Sequence, residues 1–233
     1  MYYSKNLSLL FIASPKSGTK SVHKYLLKID PDGERHSITL DNKKLTSQDM
    51  FYGVVGHARA WELKKALGDH YNKLNVFGFV RHPFDKLISS YFFNKSIKLT
   101  TAFKIKGKKK LFLRKLRAFL SFLAPKILPI DIWALLFPMK TSRDYFFDQH
   151  GNRIVQYLGR TDHLNEDLVV ILKEIGITHN ANIPHINKSK HKSRSHYFNN
   201  RWIKQYLNKK YSKDLELYRT VEKEMRELHQ KML

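Results

Sequence analysis

The sequence predicts an α/β fold in three layers, a central parallel sheet with helices on both faces. Three observations predict it. Short apolar runs of strand length alternate along the chain with longer stretches of helical period. Two of these runs, near residues 7–14 and 75–81, pass through a few loop residues straight into a helical pattern. No stretch rich in Pro, Gly or Ser divides the 233 residues, a length that buries a full core as one domain, 1–233.

The elements follow in order. Residues 7–14, Leu7-Ser8-Leu9-Leu10-Phe11-Ile12-Ala13-Ser14, are apolar enough for a strand covered on both faces, and a helix is expected over 19–29. A strand at 52–56 precedes a helix at 60–68. Another at 75–81 precedes a helix at 84–95, where Pro83 suits the first turn. A basic helix at 109–123 comes next, then a strand at 153–158 and a helix near 164–175, whose amphipathic stretch 166–175 is expected to be capped by Asn165. One long helix, 200–230, closes the chain. There is no internal repeat, and the one biased stretch is Gly107-Lys108-Lys109-Lys110.

The turn after the first strand carries the most chemistry: Pro15-Lys16-Ser17-Gly18-Thr19-Lys20-Ser21. Strand, tight loop and helix start in that order make a cradle for a phosphate. Gly18 lets the backbone approach an anion, the first N–H groups and the positive end of the helix point at it, and Lys16, Ser17, Thr19, Lys20 and Ser21 add donors. A Walker loop needs Gly, four residues, then Gly-Lys-Ser/Thr. Here Ala13 holds the first glycine position and Thr19 separates Gly18 from Lys20, so ordinary nucleotide hydrolysis is not the first reading.

The second half of the pattern is Phe77-Gly78-Phe79-Val80-Arg81-His82-Pro83-Phe84, continuing to Ser89. Ser89 falls two turns into the helix, near the face of its first turn, so Arg81 and Ser89 are placed to grip one phosphate. With both halves in view, the chain resembles the sulfotransferases, most closely the carbohydrate type of bacteria and the Golgi. The resemblance implies a P-loop-like fold. It implies that the loop binds the 5′-phosphosulfate of 3′-phosphoadenosine 5′-phosphosulfate (PAPS), with Arg81 and Ser89 on its 3′-phosphate.

Weaker pieces extend the likeness. Gly56-His57-Ala58-Arg59-Ala60-Trp61-Glu62-Leu63 resembles the family segment that carries a histidine base. Residues 148–152, 159–160 and 164–168 resemble the stretch around the family's late helix. Pro184-His185-Ile186-Asn187-Lys188-Ser189 and residues 211–214 resemble its C-terminal signature. Residues 98–140 have no counterpart in these motifs, and Thr161-Asp162 departs from the usual aromatic residue and glutamate. The implied reaction is in-line transfer of a sulfuryl group to an acceptor hydroxyl, with no metal and no covalent intermediate. His57 would be the base and Lys16 would stabilise the leaving phosphate. The implied acceptor is a glycan or glycolipid.

Among 12 histidines, a single one is ordinarily a surface or satisfied core residue. His57 is set apart because it follows the apolar run 52–55, at the sheet edge where open α/β folds bind ligands. Its ordinary pKa near 6.5 suits proton abstraction near neutrality. His82, His185 and His191 lie near motif residues and are expected to line the site. No histidine pair has zinc spacing with a third ligand, and with no cysteine there is neither a disulfide framework nor an expected structural metal.

The net charge is +23, unevenly spread: residues 98–140 hold 11 Lys/Arg and one acid, Asp131, while 185–210 hold 8 Lys/Arg and none. Such blocks imply a polyanionic partner. In the second block Lys192, Arg194 and Tyr197 are candidates for a loop over the nucleotide. In the first, Leu111, Phe112, Leu116, Phe119, Leu120 and Trp133 stand among the lysines. Its Pro125, Pro129 and Asp131 argue against a spanning helix. Two readings stay open there, an interfacial helix on an anionic membrane surface or a helical excursion packed on the domain. The short first apolar run ends at Pro15 and gives no signal peptide, so a cytoplasmic protein is expected, peripheral at the membrane on the first of these two readings. Two other functions remain as alternatives. A P-loop kinase would lack both the Walker spacing and a magnesium carboxylate, and a basic nucleic-acid-binding protein would leave the phosphate loop unexplained; no specific nucleic acid is expected.

Overall fold

The computed structural model describes residues 1–35, 37–40, 43–46, 57–104, 111–178 and 192–232. In chain order its elements are β1 (Tyr2–Ser4), β2 (Leu9–Ile12), α1 (Thr19–Ile29), β3 (Glu34–Arg35), β4 (Ser37–Leu40), β5 (Lys43–Thr46), α2 (Ala60–Leu67), β6 (Asn75–Val80) and α3 (Pro83–Ser96). They continue with α4 (Leu111–Ile127), α5 (Ile130–Leu136), α6 (Arg143–Phe146), β7 (Tyr157–Arg160), α7 (Leu164–Glu174), α8 (Arg194–Tyr197), α9 (Arg201–Lys210) and α10 (Ser212–Lys231). The chain divides into two compact units, one of Met1–His82, Thr141–Lys188 and Lys213–Leu233, the other of Pro83–Lys140 and Ser189–Ser212.

The first unit is built on a five-stranded sheet of order β3-β1-β2-β6-β7. Its core is parallel: β2 pairs β6 through Phe11 and Phe77, and β6 pairs β7 through Phe79 and Gly159. β1 runs antiparallel to β2, which makes the sheet mixed at that edge. Every residue of β2 is fully buried, as expected for a strand covered on both sides. On the face of Phe11 and Phe79, α1 brings His23 edge-on to Phe11 at 5.5 Å, and α7 brings Asp167 over Gly159. On the opposite face Phe146 of α6 lies over Gly78, where an added Cβ would come within 2.4 Å of its ring. The α/β class with a parallel core and helices on both faces is therefore as expected from the sequence.

The strand expected at 153–158 begins only at Tyr157. Residues before it are taken up by a turn: Phe147 bridges Arg153, Ile154 N donates to Phe146 O at 3.1 Å, and the Gln156 side chain accepts from Val76 N at 2.7 Å. The single helix expected over 200–230 is two, because Tyr211 leaves helical geometry and closes α9. The strand expected at 52–56 lies outside the described residues.

The second unit packs α3, α4, α5 and α9 around Leu87, Tyr91, Trp133, Ile203 and Leu207. Trp133 is 2 % exposed and lies against the rings of Tyr91 and Phe137, so it is a core residue and not the interfacial anchor that its position in the basic block suggests. Ala124 and Pro125 of α4 are buried as well, so part of that block packs within this unit.

Candidate active site

The loop of residues 13–18 leaves the C-terminal end of β2, the end at which parallel strands present ligands. Its shape is held by its own hydroxyls. Ser17 Oγ donates to Ser14 O at 2.8 Å, and Thr19 Oγ1 donates to the same carbonyl at 3.1 Å. The Ser14 hydroxyl has two acceptors for its one proton, Ser17 Oγ at 2.8 Å and Phe79 O at 3.1 Å, and so ties the loop to β6. The hydroxyls of Ser17 and Thr19, expected to face an anion, are thus spent on the loop, and Ser17 is buried. Beside the lysines, the backbone can serve an anion: Thr19 N and Lys20 N stand in the first turn of α1, where a helix offers no partner, whereas Ser21 N already donates to Gly18 O at 2.9 Å.

Two residues of the loop have positive φ, Lys16 at 65° and Gly18 at 73°. Gly18 caps α1 in the left-handed conformation, and a Cβ there would meet Leu164 at 3.1 Å, so glycine answers both backbone and space. Lys16 has no such freedom. A non-glycine residue in this region is strained, and such strain gathers at functional sites. Arg81, at the end of β6, donates from Nη1 to Lys16 O at 3.0 Å and braces the strained residue. Burial, then the charges of Arg81 and Lys20, pull the Lys16 ammonium down to about 8 from its ordinary 10.5. A bound anion would relieve the two Coulombic contributions directly.

His57 stands at the mouth of this loop. Its Nδ1 lies 2.8 Å from Ala13 O, the carbonyl that ends β2. A carbonyl accepts only, so Nδ1 carries the hydrogen, and the neutral ring holds its lone pair on Nε2. The backbone that follows it is held: Ala58 is buried, and Arg59 N donates to Glu62 Oε2 at 2.9 Å at the start of α2. Lys16, Ser17, Gly18, Thr19, Lys20, Ser21, His57 and Arg81 all belong to the first unit, and the structure ties the loop to His57 and to Arg81 through Ala13 and Lys16.

Three expected site residues lie in the second unit. Ser89 is on α3 with 9 % exposure. Arg194 pairs with Asp85 through Nη2 and Nε, at 2.6 and 2.9 Å, and Tyr197 packs on Phe92 with its hydroxyl accepting from Lys192 N at 3.3 Å. Arg194 is therefore engaged by a carboxylate of its own unit. His185 and His191 lie outside the described residues.

Some residues of the site's surroundings were missed by sequence reasoning. Thr161, the departure from the family pattern, donates to Val80 O at 2.9 Å and joins the ends of β6 and β7. Asp162 accepts from Tyr218 OH at 2.6 and 2.7 Å, and the Tyr218 ring lies edge-on to His82 at 5.3 Å. Arg160 and Asp167 form a buried pair at 2.7 Å, joined by Arg160 N and by His229. A cavity of about 500 Å3 elsewhere on this unit is lined by Asp30, Asp32 and Glu34 beside Tyr3 and Asn6. It lies at the opposite, N-terminal edge of the parallel strands, and its carboxylates make it unsuited to an anion.

Residues 1–219 match the sequence profile described as Sulfotransferase family, and the match runs through 98–140, the stretch without a counterpart in the motifs. No curated protein and no solved structure matches the chain. A strand–loop–helix turn at the C-terminal edge of the sheet's parallel core and a profile spanning nearly the whole sequence lead to one conclusion: this chain belongs to the sulfotransferase family and is a sulfuryl-transferring enzyme.

Proposed function

We propose that the enzyme moves the sulfuryl group of PAPS to a hydroxyl of a carbohydrate or glycolipid acceptor by in-line transfer, with His57 as general base. The observation that supports the reading best is the hydrogen bond from His57 Nδ1 to Ala13 O, which joins this histidine to the residue before the loop and leaves the lone pair of its neutral ring on Nε2. The residues present suit the co-substrate. A loop with Lys16 and Gly18 at positive φ, and a lysine whose pKa is lowered in part by Arg81 and Lys20, supports an anion-binding role.

PAPS supplies the activated sulfuryl group. The chain's own residues do the rest. His57 Nε2 takes the proton of the acceptor hydroxyl, and Lys16 with the loop N–H groups stabilises negative charge on the phosphate side. Arg81 fixes Lys16 and the nucleotide end together, and Ser89 is assigned to the 3′-phosphate on the spacing of the sequence alone. These fixed contacts convert binding into alignment. The P-loop kinase and nucleic-acid readings have no support from the family match. The test is incubation of the chain with radiolabelled PAPS and extracted glycans and glycolipids. Label should pass to an acceptor with the wild type and not with His57→Ala; transfer to neither class of acceptor would remove this reading.

A further inference from the structure

Every large apolar side chain that is exposed among the described residues belongs to the second unit. That unit also carries 20 Lys and Arg against two acids, Asp85 and Asp131, so most of the chain's net +23 lies in about a third of its length. Among the described residues, this coincidence of basic charge and bare hydrophobic surface is confined to one unit.

The sharpest instance is α9. Asn200 caps it by accepting from Trp202 N and Ile203 N, and Ile203 and Leu207 turn into the core. On the solvent side Trp202 is 80 % exposed and Tyr206, one turn on, 49 %. Arg201, Lys204 and Lys209 are exposed around them, and Lys210 Nζ lies 5.3 Å from the Tyr206 ring centre. On α4, Leu116, Leu120 and Ile127 are exposed at spacings of four and seven, one face of a helix. On α5, Ile132 and Leu136 are exposed one turn apart. Neither α4 nor α9 contains an acid.

We propose that the second unit docks on an anionic lipid surface, with Trp202 and Tyr206 at headgroup depth and the aliphatic faces of α4 and α5 at the acyl boundary. The apolar component selects this occupant. A hydrated polyanion such as a nucleic acid or an acidic polysaccharide rewards lysines and stacks on aromatic rings, but exposed Leu and Ile gain nothing from phosphate or sulfate. A bilayer with anionic lipids rewards both kinds of group: cations by attraction to headgroups, Trp and Tyr at the interface, aliphatics by burial. The contact is one of docking, since no described helix is long and apolar enough to cross a membrane. It differs from the membrane reading of residues 98–140 in its anchor, because Trp133 is buried and Trp202, on α9, takes that place. The proposal does not depend on which acceptor is sulfated.

The experiment is sedimentation of the full chain with vesicles of equal phosphatidylglycerol and phosphatidylcholine, or of phosphatidylcholine alone, with tryptophan emission read in parallel. The chain should pellet with the anionic vesicles only, and its emission should shift to the blue and be quenched by brominated acyl chains. Trp202→Ala with Tyr206→Ala should lower partitioning by about tenfold and remove the quenching, since Trp133 is buried and Trp61 belongs to the first unit. Neutralising Lys204 and Lys209 should lower it by about tenfold or more at low salt. Ile132→Ser with Leu136→Ser is an independent pair on the surface and should weaken the salt-resistant part. Three outcomes would each overturn the proposal: failure to pellet with anionic vesicles at low salt, binding without quenching that an oligonucleotide or heparin competes away completely, or partitioning unchanged in both apolar double variants.

Discussion

At the scale of single residues, the account rests on Lys16, His57 and Arg81. His57→Ala should lower transfer by about 10²- to 10⁴-fold, the range for removal of a general base, while leaving nucleotide affinity unchanged. Single-turnover kinetics with a separate binding isotherm checks both halves. Lys16 gives a pH test whose sign is fixed. Its ammonium, lowered to about 8 in the free protein, returns toward 10.5 when a phosphate sits beside it, so binding takes up a proton in that window. Affinity for adenosine 3′,5′-bisphosphate should therefore hold below pH 8 and fall by up to about tenfold per pH unit above it. Calorimetry in buffers of different ionisation enthalpy reads the proton directly. Lys16→Arg should flatten the profile. Arg81 both braces Lys16 and is assigned to the nucleotide, so its loss should weaken all ligands of the loop. Ser89→Ala is the cleaner probe of the 3′-phosphate, and should weaken adenosine 3′,5′-bisphosphate more than adenosine 5′-phosphosulfate. Pro15 to Ser21 were legible in the sequence because glycine, lysine and the strand before them are local signals. Ser14 was not, since nothing in its neighbours tells that one hydroxyl reaches Phe79 O across the sheet.

At the scale of elements, the sequence showed what is long and periodic and concealed what tertiary pairing decides. Helix α1 has the bounds expected from its pattern, and β2 and β6 stand where their apolar runs lie. β1, three residues long, is a strand because β2 and β3 pair with it on either side, and Tyr2 OH reaches Leu26 O and Asp30 O. No period can show in three residues. β7 starts late because Gln156 is already bonded to Val76. Its last residue, Arg160, meets α7 through a pair that is buried on both sides, with Asp167 at 0 % exposure and also accepting from Arg160 N. Removing one partner of such a pair leaves a buried charge. Asp167→Ala should cost about 3–5 kcal/mol in denaturant unfolding, whereas exposed Glu222→Ala, which breaks only a surface pair with Arg226, should cost less than about 1 kcal/mol. Gly159→Ala should cost about 1–3 kcal/mol, because the added Cβ falls 2.5 Å from the Phe79 ring and 3.1 Å from Asp167 Cβ.

At the scale of the whole molecule, charge and apolar exposure divide with the fold. The total of +23 and the basic blocks were plain in the sequence. Which apolar residues among them are bare was not, because Trp133 and Trp202 each fall within one of the basic blocks and packing is what tells them apart. The catalytic claim is independent of that surface and is tested most directly by ligand binding to the intact chain. Titration calorimetry and thermal unfolding with adenosine 3′,5′-bisphosphate, ATP with magnesium, and an oligonucleotide compare the three functions on one sample. The account predicts that adenosine 3′,5′-bisphosphate binds, stabilises the fold by about 2.7 kcal/mol at a hundredfold excess over its Kd, and loses that effect in Lys16→Ala. A chain stabilised by ATP with magnesium and indifferent to adenosine 3′,5′-bisphosphate would contradict it.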